Sequence, residues 1–258
     1  MKNTVSKQKI FFFVTLVLSV ISVIIRTLLL TKYYDTEIGY YSRGTSLPAV
    51  HTILLCVSII LFVFFALATK KDGLSLKKFP DSAIFIFSSA LCGFCLLISL
   101  IFALKDGAKD TLELVAALLA LPSALYFLSM PIKNETGEKV RKIFSIFVPL
   151  WGTFNLALIY FDSYIAVNAP NKIIEQTAFV SVMLFFLYEC GTVLGKPKSG
   201  LYRFAGHLAM LFTATASIPG MIAYSLGTVR GDYITYDIVF AAFFIFATIR
   251  MLSLTKEE

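Results

Sequence analysis

Two ionisable side chains, Glu189 and His207, lie inside long apolar stretches, where such groups are costly and often functional. The short basic loop near 195–203 separates them, and counting back from its centre along two helices places both at about the same depth. We therefore predict a hydrogen bond between them, with Tyr188 and Arg203 nearby. A carboxylate beside an imidazole could titrate a proton or hold a ligand. The alternative is a structural contact that locks two helices together.

A second set of polar residues is predicted at the opposite membrane face. Glu175 lies about four helical turns before Glu189, so both side chains should face similarly. We predict a polar outer vestibule that narrows past Glu175 toward Glu189. The other residues predicted to line it are Arg26, Glu113, Asp162, Asn168, Lys172 and Asp237. The alternative is that they are interfacial residues, with Arg26 extending its charge outward to the membrane surface.

The composition indicates that lipid surrounds the elements that carry these residues. Of 258 residues, 58% are apolar and 15% charged, whereas soluble domains carry about 25% charged residues. A span needs about 20 apolar residues. The chain offers eight such stretches, at 10–31, 48–69, 82–104, 111–130, 141–161, 173–194, 202–227 and 234–253. We predict an all-α polytopic protein that forms a single membrane domain over 1–258.

The distribution of Lys and Arg predicts the orientation. The N-terminal segment, the loops near 70–81, 131–142 and 195–203 and the C-terminal end hold 16 of the 23, and the other side holds 6. Because basic residues stay inside, both termini should be cytoplasmic in a cell membrane. The same rule explains the net charge of +7, so no nucleic-acid partner is predicted.

Internal patterns add two predictions about the helices. Residues 75–79 resemble residues 200–204, which would align helices two to four with helices six to eight in a 4+4 parallel repeat. Shared basic loops would produce a similar likeness without duplication. Pro122, Pro149 and Pro219 should interrupt or kink the helices that contain them.

Three segments between 155 and 250 resemble a pattern found in uncharacterised multi-spanning membrane proteins of Gram-positive, clostridia-like bacteria. They are residues 160–162 (Tyr-Phe-Asp), residues 168–172 (Asn-Ala-Pro-Asn-Lys) and Glu189. The resemblance implies a membrane protein and no particular activity or site residue.

The leading functional hypothesis is a transporter of a small solute or ion, or a related ligand-binding membrane module. The alternative is a non-catalytic sensor or assembly subunit that packs against a membrane partner or another copy of itself. The sequence contains no H-E-x-x-H, G-x-S-x-G or P-loop motif, so no enzyme activity is predicted. No cofactor and no metal site are predicted either.

Overall fold

The computed structural model describes residues 2–42, 44–69, 80, 82–107, 110–166, 168–196, 198–231 and 233–254. This part of the chain forms nine helices and one short β-hairpin. The elements are α1 (Lys2–Lys32), β1 (Tyr34–Asp35), β2 (Tyr40–Tyr41), α2 (Leu47–Ala68), α3 (Ala83–Asp106), α4 (Thr111–Leu128), α5 (Glu135–Phe144), α6 (Phe147–Phe161), α7 (Pro170–Val193), α8 (Ser199–Ser225) and α9 (Ile234–Leu254).

The helices contain eight segments that are long and apolar enough to cross a membrane, as predicted. Seven are single helices, and α5 with α6 forms the fifth span, Glu135–Phe161. Large apolar side chains cover the outside of the bundle: Phe64 on α2 and Phe87 on α3 are 65% and 66% exposed. Lipid tails accept such a surface, whereas water would not. The protein is therefore an all-α, multi-pass membrane protein, and its 4+4 duplication stays a prediction.

The fifth span differs from its predicted form. It begins at Glu135, within the predicted loop near 131–142, and breaks at Ser145 and Ile146 before α6 begins. Pro149 lacks the N–H that would bond to the carbonyl of Ser145 in a continuous helix, so the break falls where the helical ladder is already interrupted. The amphipathic α5 is held against the end of α4, because Arg141 donates to the Ser129 and Ile132 carbonyls at 2.8 and 2.7 Å.

Helix α8 lies at the centre of the bundle, where α1, α2, α7 and α9 pack around it. Helices α3, α4 and α6 complete the bundle by linking α9 to α7, and α2 lies at the edge against α1 and α8. This position explains why α8 is almost wholly buried although it carries Thr213, Thr215 and Ser217.

We name the two faces after the predicted topology. The outer face carries the β-hairpin and the loops near 162–169 and 228–233. The inner face carries the start of α1, the turn between α7 and α8, and the end of α9. Gln8, Arg203 and Leu254 line one small inner cavity, so the beginning of α1 and the end of α9 lie on the same face. The predicted inner loop near 70–81 falls outside the described residues except for Pro80.

Candidate functional site

Arg26, on α1, is buried inside the bundle at 1% exposure. Its Nη1 donates to the backbone carbonyls of Thr215 at 2.5 Å and Ala216 at 2.9 Å, both on α8. The Thr215 carbonyl is available because Pro219, four residues later, has no N–H to bond to it. The predicted alternative, in which Arg26 extends outward to the membrane surface, is wrong because tertiary acceptors hold the guanidinium inside.

Two buried carboxylates lie beside this guanidinium. Glu175 Oε1, on α7, is 3.5 Å from Arg26 Nη2, and the side-chain oxygen of Asn171 is 3.4 Å from the same nitrogen. Asp237, in the first turn of α9, packs directly against Gly220, where a Cβ would come within 2.2 Å of Asp237 Oδ2. Glu175 and Asp237 are 1% and 4% exposed. We call Arg26, Glu175 and Asp237 the outer charge cluster.

The outer charge cluster is incompletely satisfied. Among the described residues, Glu175 Oε2 and Asp237 Oδ1 have no hydrogen-bond partner, although both atoms are buried. A buried polar atom without a partner costs roughly 2–7 kcal/mol. With one guanidinium and two carboxylates, the cluster also has one carboxyl group more than it has cationic side chains. These oxygens therefore need a water, a proton or a ligand.

A cleft of about 30 Å³ leads to the outer charge cluster, whose three members all line it. The cleft shares four wall residues with a larger cavity of about 130 Å³ on the outer face, namely Asn171, Val229, Arg230 and Tyr233. The larger cavity lies between the β-hairpin and the loops near 164–169 and 229–233. We call the two cavities together the outer vestibule; it ends at Asp237 and Glu175 and does not reach Glu189.

The β-hairpin reaches the same region through Tyr41, which lies close enough to Arg26 for the guanidinium charge to act on its hydroxyl. Burial raises the pKa of Tyr41 above its ordinary value, and the adjacent Arg26 charge partly opposes that rise. The hydroxyl therefore stays protonated at neutral pH and can act as a hydrogen-bond donor at the top of the cluster.

Four residues predicted to line the vestibule serve the outer loops and helix ends instead. Lys172 is fully buried and donates to the carbonyls of Asp162 and Ile165 at 2.6 and 3.1 Å. The side chain of Asp162 accepts from the backbone N–H of Tyr164, and that of Asn168 accepts from the hydroxyl of Tyr40. Glu113 lies in the first turn of α4, and its backbone N–H donates to the Asp110 carboxylate that caps this helix.

Glu189 and His207 do not meet, so the predicted hydrogen bond between them is wrong. Glu189 Oε1 lies 3.2 Å from Arg250 Nε on α9, and the same Nε donates to the Tyr202 hydroxyl at 2.9 Å. His207 Nδ1 instead contacts the hydroxyl of Thr15 on α1 at 2.9 Å. His207, on α8, therefore faces α1, whereas Glu189, on α7, faces α9.

Arg203 lies near His207, since both line the small inner cavity, whereas Tyr188 has separate surroundings. Arg203 donates to the carbonyl of Thr69 at 3.0 Å and so holds the inner end of α2, one helical turn from His207. Tyr188 is half-buried and packs against the apolar core. The predicted inner group of Glu189, His207, Tyr188 and Arg203 is therefore three neighbourhoods rather than one site.

Sequence reasoning missed Arg250, the partner of Glu189, because it was counted among the basic residues of the inner flank. A signal was available, since Arg250 lies within the last apolar stretch and at a depth that Glu189 could reach. No comparable signal marks Asn171 and Gly220, because their roles depend on which helices become neighbours.

No family model, curated protein or solved structure matches this chain. Within the described ranges, no group of three or more His, Cys, Asp or Glu side chains could hold a metal ion. The geometry of the outer charge cluster therefore carries the functional argument.

Proposed function

We propose that the protein is a transporter of the cell membrane that takes up a small polar solute or ion from its outer face, with both termini in the cytoplasm. One observation carries the proposal: the outer vestibule ends at Glu175 and Asp237, which each present a buried carboxylate oxygen without a partner among the described residues. Each of these oxygens lies at a cleft that opens toward the outer face, so it can act as an acceptor for something that enters from outside.

Polar groups continue inward from the outer charge cluster along the contact between α1 and α8. Ser22 Oγ lies 2.8 Å from Thr215 Oγ1 and 2.9 Å from His51 Nε2. Further in, Thr15 contacts His207. A line of hydroxyl and imidazole groups through an otherwise apolar bundle supports passage of a polar species, because each group offers hydrogen bonds that lipid and apolar side chains lack.

Helix α8 also supports a change of conformation at the site. Pro219 and Gly220 lie in its outer half, next to both Arg26 and Asp237. A helix that already lacks one backbone hydrogen bond bends there at lower cost than elsewhere. Bending would move Gly220 relative to Asp237 and so couple occupancy of the cleft to the position of the outer half of α8.

The test is flux through the purified protein in liposomes. Radioactive Na⁺ and Rb⁺ and mixtures of radiolabelled amines, amino acids and sugars are offered outside. We expect at least one to enter faster than into empty liposomes, and uptake should fall at least about tenfold in Glu175→Gln and Asp237→Asn. The matched control is Glu138→Gln, because Glu138 forms an exposed ion pair with Lys142 on α5.

Two results would contradict the proposal. One is uptake that never exceeds that of empty liposomes, and the other is uptake that Glu175→Gln and Asp237→Asn leave unchanged. Absence of flux together with a stoichiometric protein partner in mild detergent would favour the assembly-subunit alternative.

A further inference from the structure

We infer that the cleft at the base of the vestibule binds one small monovalent cation between Glu175 and Asp237. The inference deepens the proposed function and rests on it, since it names the ligand class of the same site. It stands on the charge of the cluster, the volume of the cleft and the atoms that the cleft presents.

The outer charge cluster has two carboxylates and one guanidinium, so one more positive charge would make it neutral. Arg26 lies beside Glu175 and is held by two carbonyls, so its charge is directed to that carboxylate. Among the described residues, no cationic side chain forms an ion pair with Asp237: Arg230 lies at the wall of the cleft but is exposed, and Asp237 Oδ1 lacks a partner. An unbalanced carboxylate is very costly in a low-dielectric interior. One monovalent cation would neutralise the cluster, whereas a divalent cation would leave an excess positive charge.

The volume of the cleft limits the size of that cation. A cleft of about 30 Å³ has room for roughly two water molecules, since each needs about 10–15 Å³ of such space. An alkali cation or an ammonium ion fits this space, but a quaternary ammonium ion or a sugar does not. The larger cavity outside the cleft gives such an ion a hydrated approach from the outer face.

The atoms around the cleft are those that small hard cations prefer. Glu175 Oε2 and Asp237 Oδ1 are carboxylate oxygens, and the side-chain oxygen of Asn171 lies at the same wall. Oxygen ligands suit alkali cations, and two carboxylates are too few for the cages of six to eight oxygens that Ca²⁺ takes. Gly220 matters here because the Asp237 carboxylate occupies the space of its missing Cβ.

The test measures thermal unfolding of the purified protein with a thiol-reactive dye. Cys92, Cys95 and Cys190 are buried and unpaired, so they react when the bundle opens. Chloride salts of Li⁺, Na⁺, K⁺, NH₄⁺ and N-methylglucamine are compared at constant ionic strength and pH. We expect at least one small cation to raise the midpoint saturably by about 3 °C or more over N-methylglucamine. Asp237→Asn should abolish the rise, and Glu138→Gln should retain it.

Equal midpoints in all five salts would overturn the inference, and so would an unchanged response in Asp237→Asn. If Asp237→Asn does not fold, equilibrium binding of radioactive Na⁺ and Rb⁺ to the wild-type protein tests the site instead. Saturable binding of about one ion per chain that NH₄⁺ or Li⁺ displaces would support the site, and its absence would contradict it. A further outcome is uptake that requires Glu175 and Asp237 and yet is the same in every salt. That result would support the proposed transport function and contradict only the cation site.

Discussion

The guanidinium of Arg26 donates to the carbonyl oxygen of Thr215 at 2.5 Å, across the contact between α1 and α8. In a continuous helix that carbonyl would accept the N–H of the residue four positions later. Proline occupies that position, so the chain supplies a free acceptor where the arginine needs one. The carbonyl that α8 leaves without a helical partner therefore accepts from the buried arginine of α1. This hydrogen bond holds the Arg26 guanidinium in the outer charge cluster.

The first prediction concerns Pro219→Ala. Alanine restores the N–H that competes with Arg26 for the Thr215 carbonyl, so the guanidinium should be held less firmly and solute uptake should fall several-fold. Thermal stability should change little, because the new helical hydrogen bond offsets the weakened one. Uptake into liposomes and the unfolding midpoint check both statements. Pro122→Ala on α4 is the control, and equal losses of uptake in the two variants would contradict the explanation.

The second prediction compares two glycines of α8 that face α9. A Cβ at Gly220 would lie 2.2 Å from Asp237 Oδ2, and a Cβ at Gly206 would lie 2.3 Å from Met251 Sδ. Both alanine variants should lose stability by overpacking, by about 1–3 kcal/mol. Only Gly220→Ala should lose uptake, because it displaces a carboxylate of the cleft. Unfolding free energies and liposome uptake measure the two effects, and normal uptake in Gly220→Ala would count against Asp237 as a ligand.

The third prediction assigns Glu189 and Arg250 to stability. Removing one partner of a buried ion pair leaves an uncompensated charge, so Glu189→Met and Arg250→Met should each destabilise the protein by about 3–5 kcal/mol. The double variant should cost clearly less than either single one. Denaturation in mixed micelles gives these free energies. Glu138→Met provides the comparison, since its ion pair is exposed and should be worth under about 1 kcal/mol.

A different outcome would restore a chemical role to Glu189. If Glu189→Met cost less than about 1 kcal/mol and yet abolished uptake, the residue would act on a transported species rather than hold α7 to α9.

The fourth prediction concerns topology. An even number of spans places the two ends of the chain on one side, and the excess of Lys and Arg predicts that this side is cytoplasmic. A fluorescent protein fused to either end should fold and fluoresce, because it matures in the cytoplasm. Alkaline phosphatase inserted in the loop near 228–231 should be active, because that loop should face outward. Opposite results at the two ends would exclude eight spans.

Hydropathy alone predicted the spans because every lipid-facing helix must carry its own apolar residues, and this requirement is local in the sequence. Pro149 predicted an interruption of the fifth span, and the break before α6 lies just ahead of it. The start of α5 at Glu135 was not predicted, because it depends on Arg141 binding the end of α4, a contact between segments that no local pattern reveals. The ordered helix α5 therefore replaced the predicted loop.

Arg26, Glu175 and Asp237 were all among the polar residues predicted for the outer membrane face. Their neighbours could not be predicted, because residue spacing gives the height of a side chain and not the rotation of its helix against the others. Because the rotation of each helix was unknown, Glu189 was predicted to pair with His207, whereas Glu189 lies against Arg250. It also explains why Lys172 was placed in a vestibule, whereas it binds loop carbonyls.

The bond between Arg26 and Thr215 joins residues 189 positions apart in the chain. A ribosome that adds about 5–20 residues per second delivers the second partner roughly 10–40 s after the first. During that interval α1 has been made while its acceptors on α8 do not yet exist. Assembly of the outer charge cluster is therefore among the last events of biogenesis, and a chain arrested before α8 would expose an unmatched arginine that quality-control proteases could recognise.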